Sequence, residues 1–194
     1  MQPRTREAPS RGHAFVKVLE EAFLRLHERY CKILETYYPA HGSTGFTERN
    51  LTNNFVIALE NVLGANSICW FEAPIDIDRR KHIDAVVFDL GGKRNFMIES
   101  KRFSNPEQKI AEARKDIERL KTPRHFDLVE KNLRGISIEE RYAVLLADVW
   151  RENARKESIY NTWPNSVYQD ACWSKTLKFD GVRNYSLLIL AVKL

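Results

Sequence analysis

The chain has 194 residues, enough for one domain with its own core. Apolar residues make up 43% and charged residues 29%, a balance that excludes a disordered or fibrous chain. The net charge of +5 permits a polyanionic partner, and no apolar run reaches the ~18 residues of a membrane span.

Residues 1–12 are basic and Pro-containing, with no apolar h-region, and read as a flexible lead rather than a secretory signal. From His13 to about Tyr38 the apolar residues fall at helical spacing (Phe15, Val18, Leu19, Ala22, Phe23, Leu26, Tyr30), and Pro39 ends the run. His27 and Cys31 lie four apart on this helix, but a zinc site needs further ligands and no matching pair is visible. The three cysteines are widely separated, so no disulfide framework is expected and a reducing cytoplasm is the simplest compartment.

After the Gly/Ser/Thr turn "PAHGSTGFT" comes a second helix, "TERNLTNNFVIALENVLG", with Thr47 placed to cap it and Gly64 to stop it. Three strand-like runs follow: "SICWFEAPI", "HIDAVVFDL" and "RNFMIESKRF". The "GGK" turn makes the last two an antiparallel hairpin. "SNPEQKIAEARKDIERLKTP" is a punctuated helix, with Asn105 and Pro106 at its start and Pro123 after its end. "RYAVLLADVW" reads as a strand covered on both faces and "YSLLILAVKL" as another buried strand. Between them a short helix is expected near Asn165 to Trp173. The order α, α, β, β, β, α, β, (α), β predicts one α/β domain over residues 13–194, with helices packed on a mixed sheet.

The hairpin carries the unusual chemistry. Asp84 lies in the first run, and Glu99 and Lys101 in the second, among Val86, Phe88 and Met97. Period-two alternation puts Asp84 on the face of Val86 and Phe88, and Glu99 and Lys101 on the face of Met97. Counted from Gly91-Gly92, the two acids fall at similar heights on adjacent strands. Two carboxylates that close repel unless a cation lies between them, and Mg²⁺ suits oxygen ligands. The Ser100 carbonyl could add one oxygen. Lys101 could then orient a water and stabilise charge on a phosphate. The plainer reading is a cross-strand Asp84–Lys101 or Glu99–Lys101 ion pair.

Asp84, a gap of 14 residues, then Glu99-Ser100-Lys101 resembles the PD-(D/E)xK nuclease superfamily. That superfamily includes restriction endonucleases, Holliday junction resolvases and many repair and phage-defence nucleases. The resemblance covers about residues 47–150 and implies a restriction endonuclease-like αβββαβ core, here with an extra long N-terminal helix. It further implies Mg²⁺, with Mn²⁺ as a substitute, held by Asp84, Glu99 and Ser100, and catalysis by Asp84, Glu99 and Lys101. "GFTERNL" is similar to the G-x-x-E-R-x-L start of resolvase-like members, which makes Glu48 the further acid, with Glu60 on the same helix as its competitor. Ile83 stands where the family name has proline.

The activity so implied is metal-dependent endonucleolytic hydrolysis of nucleic acid, DNA above all, in defence, repair or mobile-element biology. Between Arg79 and Arg102 there are seven Lys/Arg against three Asp/Glu, so Arg79, Arg80, Lys81 and Arg102 are candidate phosphate contacts. Lys109 and Lys115 could line the same groove, and Trp150, Tyr160 and Trp163 could stack on bases. A homodimer or a specificity-supplying protein would complete so small a nuclease. The alternative is a nuclease-like module that binds nucleic acid or protein without turnover.

Overall fold

The computed structural model describes residues 11–36, 47–76, 81–103, 106–150, 167–179 and 185–194. Helix α1 (Arg11–Thr36) buries Phe15, Leu19, Ala22, Phe23, Leu26, Tyr30 and Leu34, one stripe at three- and four-residue spacing. Helix α2 (Glu48–Leu63) starts where the Thr47 hydroxyl accepts the Asn50 N–H at 3.2 Å. It stops at Gly64, whose φ of +68° suits a residue without a Cβ.

Six strands follow: β1 (Ser67–Pro74), β2 (His82–Asp89), β3 (Arg94–Arg102), β4 (Glu140–Trp150), β5 (Trp173–Lys178) and β6 (Tyr185–Lys193). They form one mixed sheet in the order β1-β2-β3-β4-β6-β5. Among the described strands only β3 and β4 pair in parallel. A parallel pair needs a crossover, supplied here by helices α3 (Pro106–Leu120) and α4 (Pro123–Glu130). Helices α1 and α2 cover one face, against Ala85, Val87, Phe96, Ile98, Val144 and Ile189. Helix α3 covers the other, where Ala113, Ile117 and Leu120 meet Val86, Met97, Leu145 and Leu188. Strands β4 and β6 are therefore sandwiched, as their apolar runs require. Among the described residues no helix is long and apolar enough to cross a membrane.

The segment before β6 differs from expectation. Residues 167–172 form turns and a bend, and β5 begins at Trp173, where the sequence suggests a helix. The backbone of Trp173–Lys178 pairs antiparallel with β6, from Trp173↔Ala191 to Lys178↔Ser186. That ladder of a buried neighbour outweighs weak local helical preference.

The β2–β3 hairpin is locked at its turn. Asp89 is buried and accepts the Gly92 N–H at 2.9 Å. Its other oxygen takes two bonds from the Arg94 guanidinium, at 2.8 and 2.5 Å. A Cβ on Gly92 would collide with Asp89 Oδ2 and with Arg94 Nε. Gly92→Ala is therefore expected to destabilise the fold by about 2–4 kcal/mol, because it disrupts a buried ion pair. Equilibrium urea unfolding checks this, and a variant within experimental error of the parent would count against it.

Candidate active site

The hairpin register runs from Asp89↔Arg94 to Ala85↔Ile98. Beyond Ala85 the carboxylate of Asp84 reaches across to β3, where Oδ2 accepts the Ser100 N–H at 2.7 Å. Glu99 and Lys101 point to the other side, towards α3. Glu99 Oε1 accepts from Arg119 Nη2 at 2.5 Å. Lys101 Nζ lies 2.8 Å from Asp116 Oδ2, and Asp116 Oδ1 lies 3.2 Å from Arg119 Nη2. Glu99, Arg119, Asp116 and Lys101 thus form a run of contacts that ties the end of β3 to α3. The ion-pair partners of Glu99 and Lys101 are on that helix, not across the hairpin.

Asp84 does not share the face of Val86 and Phe88. Its neighbour Ile83 packs in the α3-side core with Val86, whereas Ala85 packs on the α1–α2 side. Regular alternation would put Ile83 and Ala85 together. The same inversion occurs on β1, where Phe71 pairs with Ala85 and Ala73 with Ile83 around Glu72, whose φ is +51°. A left-handed residue inside a strand rotates everything beyond it, which explains why simple counting misplaces Asp84.

Helix α2 supplies Glu48. Its Oε1 accepts the Arg102 N–H at 2.9 Å, so it too is fastened to the end of β3. One turn on, buried Thr52 Oγ1 donates to the Glu48 carbonyl at 3.0 Å and accepts the Ser100 hydroxyl at 2.7 Å. Glu48 and Asp84 line one cavity of about 620 Å³ between α2 and β1. Glu60 lines the same cavity but hydrogen-bonds the Cys69 thiol, which burial first and then this contact push up to about 11. Of the two helical acids, Glu48 is the one whose charge acts on Asp84 and Lys101.

Burial pushes the Glu99 carboxyl up to about 8. Asp84 and Asp116 add to the rise, against Arg119 and Lys101. Asp84 is raised as well, by burial first; the Ser100 N–H and Lys101 pull it down, and Glu48 and Glu72 push it up. Burial alone would lower Lys101, but its contact with Asp116 and the charges of Glu99 and Glu48 raise it, so the ammonium keeps its proton.

Three groups in this neighbourhood escaped the sequence reading. Asp116 and Arg119 look like ordinary helix charges, and only their position beside the Ala113–Ile117–Leu120 seam hints at contact with the sheet. Asp148 carries the same signal as Asp84, an acid in an otherwise apolar strand. It is 2% exposed, accepts from Tyr185 Oη at 3.3 Å, and burial pushes its carboxyl up to about 7 despite Arg102 nearby.

Among the described residues no three His, Cys, Asp or Glu side chains form a ready-made metal cluster. A two-carboxylate set still fits a hard cation. The Asp84 charge raises the Glu99 carboxyl, an effect that a positive ion near both would reverse. Asp84 Oδ1 and Glu99 Oε2 have no hydrogen-bond partner among the described residues. Arg119 reaches Glu99 through Nη2 alone, and its Nε is buried without a partner. This is not the two-bond fork that would hold a carboxylate most firmly. Mg²⁺ in particular uses one or two carboxylates and keeps several waters.

Of the expected phosphate contacts, Lys81 is exposed and Arg102 half-buried; Arg79 and Arg80 lie outside the described residues. So do Tyr160, Trp163 and the side chain of Trp150. Lys109 pairs with Glu112 at 2.7 Å, and Lys115 is exposed on α3. Comparison with protein-family models, with curated proteins and with solved structures finds no match to the chain.

Proposed function

We propose that the chain is a Mg²⁺-dependent nuclease that hydrolyses phosphodiester bonds of DNA. On this reading α2-β1-β2-β3-α3-β4 is a restriction endonuclease-like αβββαβ core, preceded by α1. The observation that carries it is half-buried Asp84 beside buried Glu99, with the Asp84 charge raising the Glu99 carboxyl and a protonated lysine two residues further on.

Asp84 and Glu99 would hold the cation, with Glu48 and the Ser100 carbonyl as further oxygen donors. When bound, Mg²⁺ supplies neutralising charge at the phosphate and makes a coordinated water more acidic. Water oxygen forms the new bond to phosphorus, the bond to the 3′-oxygen breaks, and the products are a 5′-phosphate and a 3′-hydroxyl. Lys101 remains charged near neutral pH, so it serves by donating to the water and to the phosphate oxygens, not by abstracting a proton. Asp116 holds that ammonium in place until a phosphate competes for it. Lys81 and Arg102 are placed by sequence on either side of the acids, where they would meet neighbouring phosphates.

Supercoiled plasmid nicking in Mg²⁺ tests the reading. Wild type should nick, and Asp84→Asn and Lys101→Ala should each lose about 100-fold or more. Equal activity in all three sinks the assignment. A second reading, a nucleic-acid- or protein-binding module without turnover, draws support from the Glu99–Arg119 and Lys101–Asp116 contacts, which satisfy both residues with no cation. It requires DNA or partner binding without Mg²⁺ and no Asp84-dependent heat on Mn²⁺ titration.

A further inference from the structure

We infer that the cavity between α2 and β1 receives one unpaired nucleobase, stacked on Phe71, so that the substrate is single-stranded or locally unpaired DNA. The inference rests on the nuclease reading and names the form of nucleic acid that site takes. The cavity's volume of about 620 Å³ lies within the range of small-ligand sites.

Phe71 on β1 and Ile57 on α2 both line the cavity, and each is 40% exposed. A strand with regular alternation would keep Phe71 and Ala73 on one face. Here the left-handed Glu72 separates them: Ala73 is buried in the α3-side core, and Phe71 is turned to the cavity. Backbone strain of this kind persists where the surrounding structure holds it in place, and here its result is an aromatic ring beside Asp84.

Charge selects what can enter. Among the described residues, Glu48, Glu60, Glu72 and Asp84 line the cavity against one cation, Arg49, which is itself paired to Glu72 at 3.4 Å. Four acids repel a phosphate. They accept hydrogen bonds from a neutral ring that carries amino groups, and Asn53 on the same wall can accept or donate. Adenine, cytosine and guanine have such exocyclic amines, and thymine lacks one. In a duplex those amines are paired and both ring faces are stacked, so only an unpaired base can use the pocket. With Asp84 and Glu48 in the lining, a base there lies next to the proposed cation.

Anisotropy of short labelled oligo-dA, oligo-dT and a duplex of matched length, in Ca²⁺ to limit turnover, tests this. Single-stranded oligo-dA should bind about tenfold tighter than duplex, and tighter than oligo-dT. Phe71→Ala should lose about tenfold on oligo-dA, and Phe71→Trp should restore it. Circular dichroism confirms folding, and Ile57→Ala provides a second variant on the opposite wall. Equal affinity for single strand and duplex, or oligo-dA binding unchanged in both Phe71→Ala and Ile57→Ala, overturns the inference. Cleavage of the same oligonucleotides in Mg²⁺ separates the two readings. Glu99-dependent cleavage indifferent to Phe71 removes this pocket and leaves the nuclease. Phe71-dependent single-strand binding with no cleavage leaves the pocket and removes the nuclease.

Discussion

A Glu99→Gln variant is expected to lose Mg²⁺-dependent DNA cleavage by on the order of 10³-fold while folding as well as its parent. The amide keeps the shape of the side chain and can still accept from Arg119, so packing at the end of β3 survives. What it cannot supply is negative charge for a cation. Without the cation, burial already pushes the Glu99 carboxyl up to about 8, so the parent is largely protonated at pH 6 and the substitution costs little stability there. The two effects are separable in one preparation. Cleavage should collapse, and Mn²⁺ should no longer raise the melting temperature, while the metal-free melting temperature holds. A Glu99→Gln protein that cleaves at the parental rate would remove Glu99 from the chemistry.

Metal-free protein should melt at lower temperature as pH rises from about 5 to about 8. Two buried acids drive this. Asp148 is pushed up to about 7 and Glu99 to about 8, both above the usual carboxylate range and both by burial first. A carboxyl whose folded pKa exceeds its unfolded one binds more protons in the native state. Its favourable contribution is complete below the unfolded value near 4, and it is lost as pH rises through the folded value. Each acid accounts for at most on the order of 4 kcal/mol. The loss across the window should therefore be on the order of 10 °C in a chain of this size. Asp148→Asn should flatten the Asp148 share and raise the melting temperature at pH 8 but not at pH 5. Melting curves that do not move between pH 5 and 8 would show that neither acid is held protonated by the fold.

Asp84, Glu99 and Lys101 were legible for one reason: charge in an apolar strand must have a purpose or a partner. Thr47 and Gly64 marked both ends of α2 because capping chemistry is local. The α1 stripe was visible because period is a property of the chain itself. Other features depend on contacts that no window of sequence contains. Asp116 and Arg119 become significant only once α3 lies against β3. Helix α4 is eight residues long, too short for periodicity to declare it. Strand β5 owes its form to β6, not to its own residues. The inversion at Glu72 breaks the alternation on which every face assignment on β1 and β2 depends, so period-two counting places Asp84 on the wrong side of the sheet.

The Asp89–Arg94–Gly92 lock acts as a ruler for chain length. Nine positions separate Asp89 from the Arg94–Arg102 strand's mid-point only through a turn of fixed size, and Ile98 and Glu99 are adjacent residues with opposite destinations. One inserted residue between Gly91 and Lys93 would exchange them, sending the carboxylate into the α1–α2 core and the isoleucine towards Arg119. Insertion scanning should thus find this short surface turn intolerant of length change, although surface turns are where added residues are usually accepted.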